Sequence, residues 1–242
     1  MRALAAQSAA EVRMTLRRGD SVLLALGIPV GLLVFFSLVD VLPKPAGVTD
    51  PVTFLAPGIL ALAVMSTAMV SLGIATGFER QYGVLKRLAS TPLGRPALLG
   101  AKTVAILAVE ALQTVVLVAV ALALGWNPAG DAGLAIVAIV IATVAFAGIG
   151  LLMAGTLRAE VTLAGANGLY LVLLLLGGMV IPLGRLPGPL RSVARALPSG
   201  ALSDALHGSL AAGATVPGRA WAVLAIWAVA APLAAGLTFK WE

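Results

Sequence analysis

Six apolar runs, at about 22–39, 54–76, 102–124, 133–155, 163–182 and 219–239, leave this chain few ways to fold. A helix needs roughly 20 apolar residues to cross about 30 Å of hydrocarbon. Inside a bilayer every backbone N–H and C=O must be satisfied within the protein, so only helices and closed barrels span it. The runs are continuous rather than alternating, which favours helices. Only 11% of residues are charged, against about 25% in a soluble domain. The expectation is an all-α membrane protein, with residues 1–242 forming a single transmembrane domain of six helices.

The charges sort into the connections. Basic residues favour the cytoplasmic side, and eleven fall on one side: Arg2, Arg13, Arg17, Arg18, Arg80, Lys86, Arg87, Arg95, Lys102, Arg158 and Lys240. Five fall on the other: Lys44, Arg185, Arg191, Arg195 and Arg219. Both termini are therefore expected in the cytoplasm. The net charge of +6 reflects this distribution and does not point to nucleic acid. Residues 1–20 lack the central apolar stretch of a cleaved signal peptide. Residues 3–18 instead read as a short helix on the membrane surface, with Arg13 and Arg17 one turn apart.

Polar residues within the runs are few. The first run holds Gly27-Ile28-Pro29-Val30-Gly31, a small-xxx-small pattern around a proline. The third holds Glu110, with Thr103, Gln113 and Thr114 at helical spacing, predicting one polar stripe. An intramembrane acid faces protein or a water-filled cavity. Glu110 either walls a translocation path and pairs with a cationic substrate, or carries a proton and bonds between helices. Asn167 and Tyr170 in the fifth run either line a path or bond between helices. The candidate translocation-path set is Glu110, Gln113, Thr114, Asn167 and Tyr170.

Between the fifth and sixth runs, Leu186, Leu190, Val193 and Leu197 share one helical face, with Arg191 and Arg195 on another. Pro198 and Gly200 break this helix, and Leu202, Leu206 and Leu210 continue in a second. These read as short amphipathic outer helices, at the surface or partly re-entrant.

Residues 77–102 carry five basic residues and one acid between two apolar runs. Glu79 to Ala89 is predicted as about three helical turns ended by Thr91-Pro92, with Val84, Leu85 and Leu88 as an apolar patch. Such a face either fixes topology alone or seats on a soluble partner.

The residue order bears on that choice. Glu79-Arg80-Gln81-Tyr82-Gly83-Val84-Leu85-Lys86-Arg87-Leu88-Ala89-Ser90-Thr91-Pro92 resembles the cytoplasmic signature of type-2 ATP-binding-cassette (ABC) exporter permeases, roughly Glu-Arg-Glu-x-Gly-Thr-Leu-Glu-x-Leu-x-x-Thr-Pro. Glu79, Arg80, Gly83, Leu85, Leu88, Thr91 and Pro92 match, while Gln81, Val84 and Lys86 depart. Leu186-Pro187, Leu190, Leu197-Pro198 and Leu202 to Leu206 resemble the family's outer segment, and the similarity is nearest the antibiotic-exporter, daunorubicin-type branch.

The resemblance implies a permease that pairs with a second copy or a paralogue and sits on two ABC ATPase subunits. Glu79, Arg80, Gly83, Leu85, Leu88, Thr91 and Pro92 would form the ATPase-coupling helix. No cofactor is expected on this chain, because ATP-Mg would be bound by the partner: the phosphate-cradling G-x-x-x-x-G-K-[ST] pattern is absent. The expected setting is a bacterial inner membrane, and the expected cargo is a hydrophobic or amphiphilic drug or lipid.

Two rivals remain in the sequence. Ser203, Asp204 and His207 cluster as a serine hydrolase would require, although without a G-x-S-x-G turn. A secondary transporter would work without an ATPase, but inverted repeats and several midplane charges are lacking. With one histidine and no cysteine, the ligands of a metal site are also lacking.

Overall fold

The computed structural model describes residues 19–39, 50–89, 95–211, 213 and 215–239, with side chains over 25–39, 50–86, 100–211, 213 and 215–239. The surface helix expected at 3–18, Thr91, Pro92 and the Leu88 side chain lie outside these. All regular structure among the described residues is helical. The order is α1 (Gly19–Leu38), α2 (Pro51–Met65), a π-helical turn (Ser66–Ser71), α3 (Leu72–Gln81), α4 (Val84–Ala89), α5 (Arg95–Ala123), α6 (Ala132–Thr156), α7 (Ala159–Leu176), a 3₁₀ turn (Leu183–Arg185), α8 (Gly188–Ala196), α9 (Pro198–Leu210) and α10 (Gly218–Thr238).

Five helical stretches among the described residues are long and apolar enough to cross a membrane: Pro51–Gln81, Gly100–Ala123, Ala132–Thr156, Ala159–Leu176 and Gly218–Thr238. The first run is helical as α1, whose described apolar part is the shorter Ala25–Leu38. The chain is a multi-pass membrane protein.

Helix α6 is the hub, packing against α2, α3, α5, α7, α9 and α10. Its small residues explain this. A side chain at Gly148 would land on the backbone of Pro232 in α10, and one at Gly155 on the ring of Phe239. One at Gly150 would land on the carbonyl of Met69 in the π turn. Lipid tails are as apolar as the helices, so spans associate through close packing rather than hydrophobic exclusion, and small residues permit it. The start of α6 is fixed by Asp131, whose Oδ1 accepts from the N–H of Gly133 (2.8 Å) and of Leu134 (3.2 Å).

Two helix boundaries differ from the sequence expectation. The helix expected over 79–89 is broken at Tyr82-Gly83, where Gly83 has φ +70°. Residues 79–81 therefore finish the long second span, and α4 is a separate short helix. A glycine in this left-handed conformation is a common helix stop. The fifth run likewise ends as helix at Leu176, because Gly177 and Gly178 (φ +72°) turn the chain. Met179 then packs, fully buried, against α2, where Gly58 leaves room for its carbonyl.

The two short helices α8 and α9 differ in burial. Only Ala194 of α8 is buried, whereas ten residues of α9 are, among α2, α6 and α10. Trp227 of α10 donates to the Ala196 carbonyl (3.0 Å) at the end of α8. Two of the basic residues on this side are occupied by structure. Arg191 donates to the carbonyls of Leu183, Gly184 and Leu186, and Arg219 pairs with Asp204 at 2.9 Å.

Gly58→Val is expected to destabilise the bundle by about 1–3 kcal/mol, the usual cost of overpacking. Gly27→Ala, where an added Cβ meets nothing within 4 Å, should shift thermal unfolding in detergent little. Equal shifts for the two variants would contradict this packing.

Candidate functional site

The described part of the 79–92 signature does not hang free of the bundle. Glu79 Oε2 lies 2.5 Å from Lys102 Nζ at the start of the third span, and Lys102 is only 3% exposed. Arg80 Nη2 donates to the carbonyl of Leu157 (2.6 Å), just past the end of α6. Gln81 Nε2 donates to Glu160 Oε1 (2.8 Å) in the first turn of α7. Three consecutive residues thus clasp the ends of three different helices. The departure at Gln81 has a physical reason here, because an acid in its place would face the Glu160 carboxylate.

Beyond the clasp, Leu85 is fully buried, and Tyr82, Val84 and Lys86 are exposed. Leu85 is therefore the buried side chain of α4, which packs on α3, and the surface offered outward is Tyr82-Val84-Lys86. Gly83 supplies the turn that separates the clasp from this surface.

The polar residues of α5 fan out instead of forming one stripe. Thr103 borders a groove between α5, α6 and α10. Glu110, 2% exposed, faces α6, where the Thr143 hydroxyl bonds its Oε2 while Oε1 has no protein partner. Thr143 also lies 2.8 Å from its own helix's Ile139 carbonyl. A hydroxyl has one proton to give, so both contacts are satisfied together when the carboxyl brings a second.

Gln113 faces the other way. Its Oε1 accepts from Thr67 Oγ1 (3.1 Å) in the π turn, and its Nε2 donates to the Ala25 carbonyl (2.5 Å) in α1. Ala25 lies four residues before Pro29, which has no N–H to return. Gln113 thus fills the hydrogen-bond vacancy that Pro29 creates. Thr114 is half-buried one residue on.

A cleft of about 180 Å³ opens in front of this network, between α1, α2 with its π turn, and α7. Pro29, Ser66, Val70, Asn167 and Tyr170 contribute to its lining. Asn167 and Tyr170 therefore share one cleft, Gln113 sits one layer behind it through Ala25, and Glu110 stands apart against α6. Sequence reading missed Thr67, Thr143 and Lys102. Thr143 is the one hydroxyl of its run and Lys102 the cation at the edge of the third, each a readable signal, whereas Thr67 is one of four hydroxyls in its run.

Ser203, Asp204 and His207 do not assemble a triad. Ser203 Oγ lies 3.3 Å from His207 Nδ1 and 3.1 Å from the Gly178 carbonyl, but Asp204, the third member, binds Arg219 instead of the ring. The His207 ring lies between two backbone carbonyls, with Nδ1 2.8 Å from that of Ser203 and Nε2 3.0 Å from that of Phe54. Among the described residues no group of His, Asp and Glu could hold a metal ion.

The structure thus defines a class: a helical multi-pass membrane protein whose long Pro51–Gln81 stretch ends in a clasped turn. A family model for ABC-2 type transporters matches residues 4–210, and the chain belongs to that family as a membrane permease subunit. Members of the family generally work with an ABC ATPase. A search of the curated proteins returns no matching relative.

Two outcomes test this geometry. Gln113→Leu should cost about 1–3 kcal/mol, since it strands the Thr67 hydroxyl and the Ala25 carbonyl. With Pro29→Ala the Ala25 carbonyl regains a backbone donor, so the same change should cost about 0.5–1.5 kcal/mol less in a double-mutant cycle of unfolding. Additive costs would dismiss the proline–glutamine link.

Loss of water around the His207 ring lowers its pKa below the ordinary value, and the carbonyls of Ser203 and Phe54 and the charge of Asp204 oppose this only in part. The unfolded chain, titrating near 6.5, then binds more protons than the folded one just below that pH. Stability should therefore be complete above about pH 6.5 and decline as pH falls from there towards the folded-state value. Thermal unfolding between pH 5 and 7.5 checks it, with His207→Gln giving a flatter profile.

Proposed function

We propose that the chain is the six-span permease of an ATP-driven exporter, with both termini in the cytoplasm of a bacterial inner membrane. It works as a homodimer or beside a paralogue, on a separate ATPase that binds ATP-Mg. The cargo is a hydrophobic or amphiphilic drug or lipid leaving the cytoplasm or inner leaflet, as in the antibiotic-exporter branch. The segment from Glu79 to Pro92 receives the ATPase motion.

The observation that carries this reading is the clasp. A push on the exposed Tyr82-Val84-Lys86 surface is delivered, through Glu79, Arg80 and Gln81, to Lys102, Leu157 and Glu160. Two of those three residues follow the family signature, which suits a lever better than a topology signal. Asn167 supports the dimer. It is exposed on a spanning helix, and its amide donates within its own helix to the Leu163 carbonyl (2.8 Å). Polar groups in spans face protein or water rather than lipid, so a second copy or an aqueous path covers it. The cleft beside Asn167 and Tyr170 then lies on the route of the cargo.

The chain contains no cysteine, so one introduced at Tyr82 is a unique attachment point. A photoactivatable cross-linker on Tyr82→Cys in native membranes should capture an ABC ATPase subunit, whereas a cross-linker on Leu237→Cys, 87% exposed on α10, should not. Glu79→Gln should leave that capture intact but uncouple ATP hydrolysis from cargo movement. Capture of lipid alone at position 82, from membranes that retain the ATPase, would overturn the coupling assignment.

A further inference from the structure

The larger void lies away from the cleft shared by Asn167 and Tyr170. Helices α5 and α10 both pack on α6 and leave between them a groove of about 770 Å³. Val104 and Leu107 form one wall, Leu233 and Leu237 the other, and Leu151 part of the floor. Thr103 is the one polar side chain in its lining.

Its setting determines what fits. All three helices are long and apolar enough to cross a membrane, so the groove is at bilayer depth. Its rim is open and apolar: Val104 is 47% exposed, Leu233 60% and Leu237 87%. Packed atoms gain dispersion energy that an unfilled gap forfeits, and the material at hand is hydrocarbon. The groove ends at Gly100 and Phe239. Towards that membrane surface α5 continues back to Arg95, and Phe239 is followed in the sequence by Lys240. Basic residues at a helix end attract anionic headgroups.

We propose that this groove is a binding site for one acyl chain of an anionic glycerophospholipid from the leaflet at the Gly100–Phe239 end. The glycines in its walls provide the test. A Cβ added at Gly100 or at Gly236 meets no heavy atom within 4 Å, so a larger side chain there fills the groove without displacing protein.

The wild-type chain, Gly100→Leu and Gly236→Leu would be purified from nanodiscs holding equal phosphatidylglycerol and phosphatidylcholine, then examined by native mass spectrometry. The wild type should retain about one phosphatidylglycerol per chain in preference to phosphatidylcholine. Each variant, with an unchanged unfolding temperature, should retain about tenfold less, as displacing a few methylene groups implies. Equal retention by wild type and both variants would overturn the site. Equal retention of both lipids by the wild type would overturn the anionic assignment. A variant that changes oligomeric state without changing lipid retention would overturn lipid as the occupant in favour of a second copy.

Discussion

No water reaches the middle of a bilayer to satisfy a stray backbone group, and this requirement organises the interior of the bundle. Pro29 interrupts α1 and frees the carbonyl of Ala25, and the structure answers with Gln113 from α5. The same glutamine amide accepts from Thr67, inside the π-helical turn that interrupts the second span. Two irregularities in two helices are thus settled by one side chain from a third. Such turns recur at functional sites because they place groups a regular helix cannot. Here Ser66 and Val70 of the turn reach the cleft shared with Asn167 and Tyr170.

Close packing sets where the bundle is solid and where it yields. Helix α6 meets α10 through Gly148 and the π turn through Gly150, with backbone nearly against backbone, and Gly155 makes room for the Phe239 ring just past α10. A hub of this kind resists sliding, since interlocked cores have discrete arrangements rather than a continuum. The voids lie where helices around α6 part: α1 from α7, and α5 from α10. One is bordered by amide, hydroxyl and phenol groups and the other almost wholly by hydrocarbon. Their chemistry differs for that reason, although both open among spanning helices.

The all-helical character and the spans are written in the apolar runs, because hydrocarbon thickness sets a length that composition displays directly. The paired short helices α8 and α9 were equally legible, since glycine, proline and charge mark them. Less legible was which neighbour each polar residue meets. Thr103, Glu110 and Gln113 look like one stripe when only α5 is considered, yet they serve three different surfaces, because a fan of this width on a helix surrounded by protein touches several partners. The stop at Gly83 was visible as a residue but not as a break, since a glycine within a helical pattern is often tolerated. Lys102 was counted as a charge but its pairing was not legible, because its partner Glu79 is 23 residues away.

That ion pair also bears on what the clasp is for. A buried charge pair is weak evidence of stability, because desolvation of both ions offsets most of their attraction, but it fixes register well. Glu79 and Lys102 therefore set the relative height of the second and third spans, while Arg80 and Gln81 set those of α6 and α7. Moving the end of α3 without moving its neighbours would take the Glu79 carboxylate away from the buried Lys102 cation. Moving all four ends together costs no contact. Under the proposed coupling, the unit that answers the ATPase is thus the set of clasped span ends. The packing of α4 on α3, with Leu85 buried, makes α4 the handle of that unit rather than a free linker.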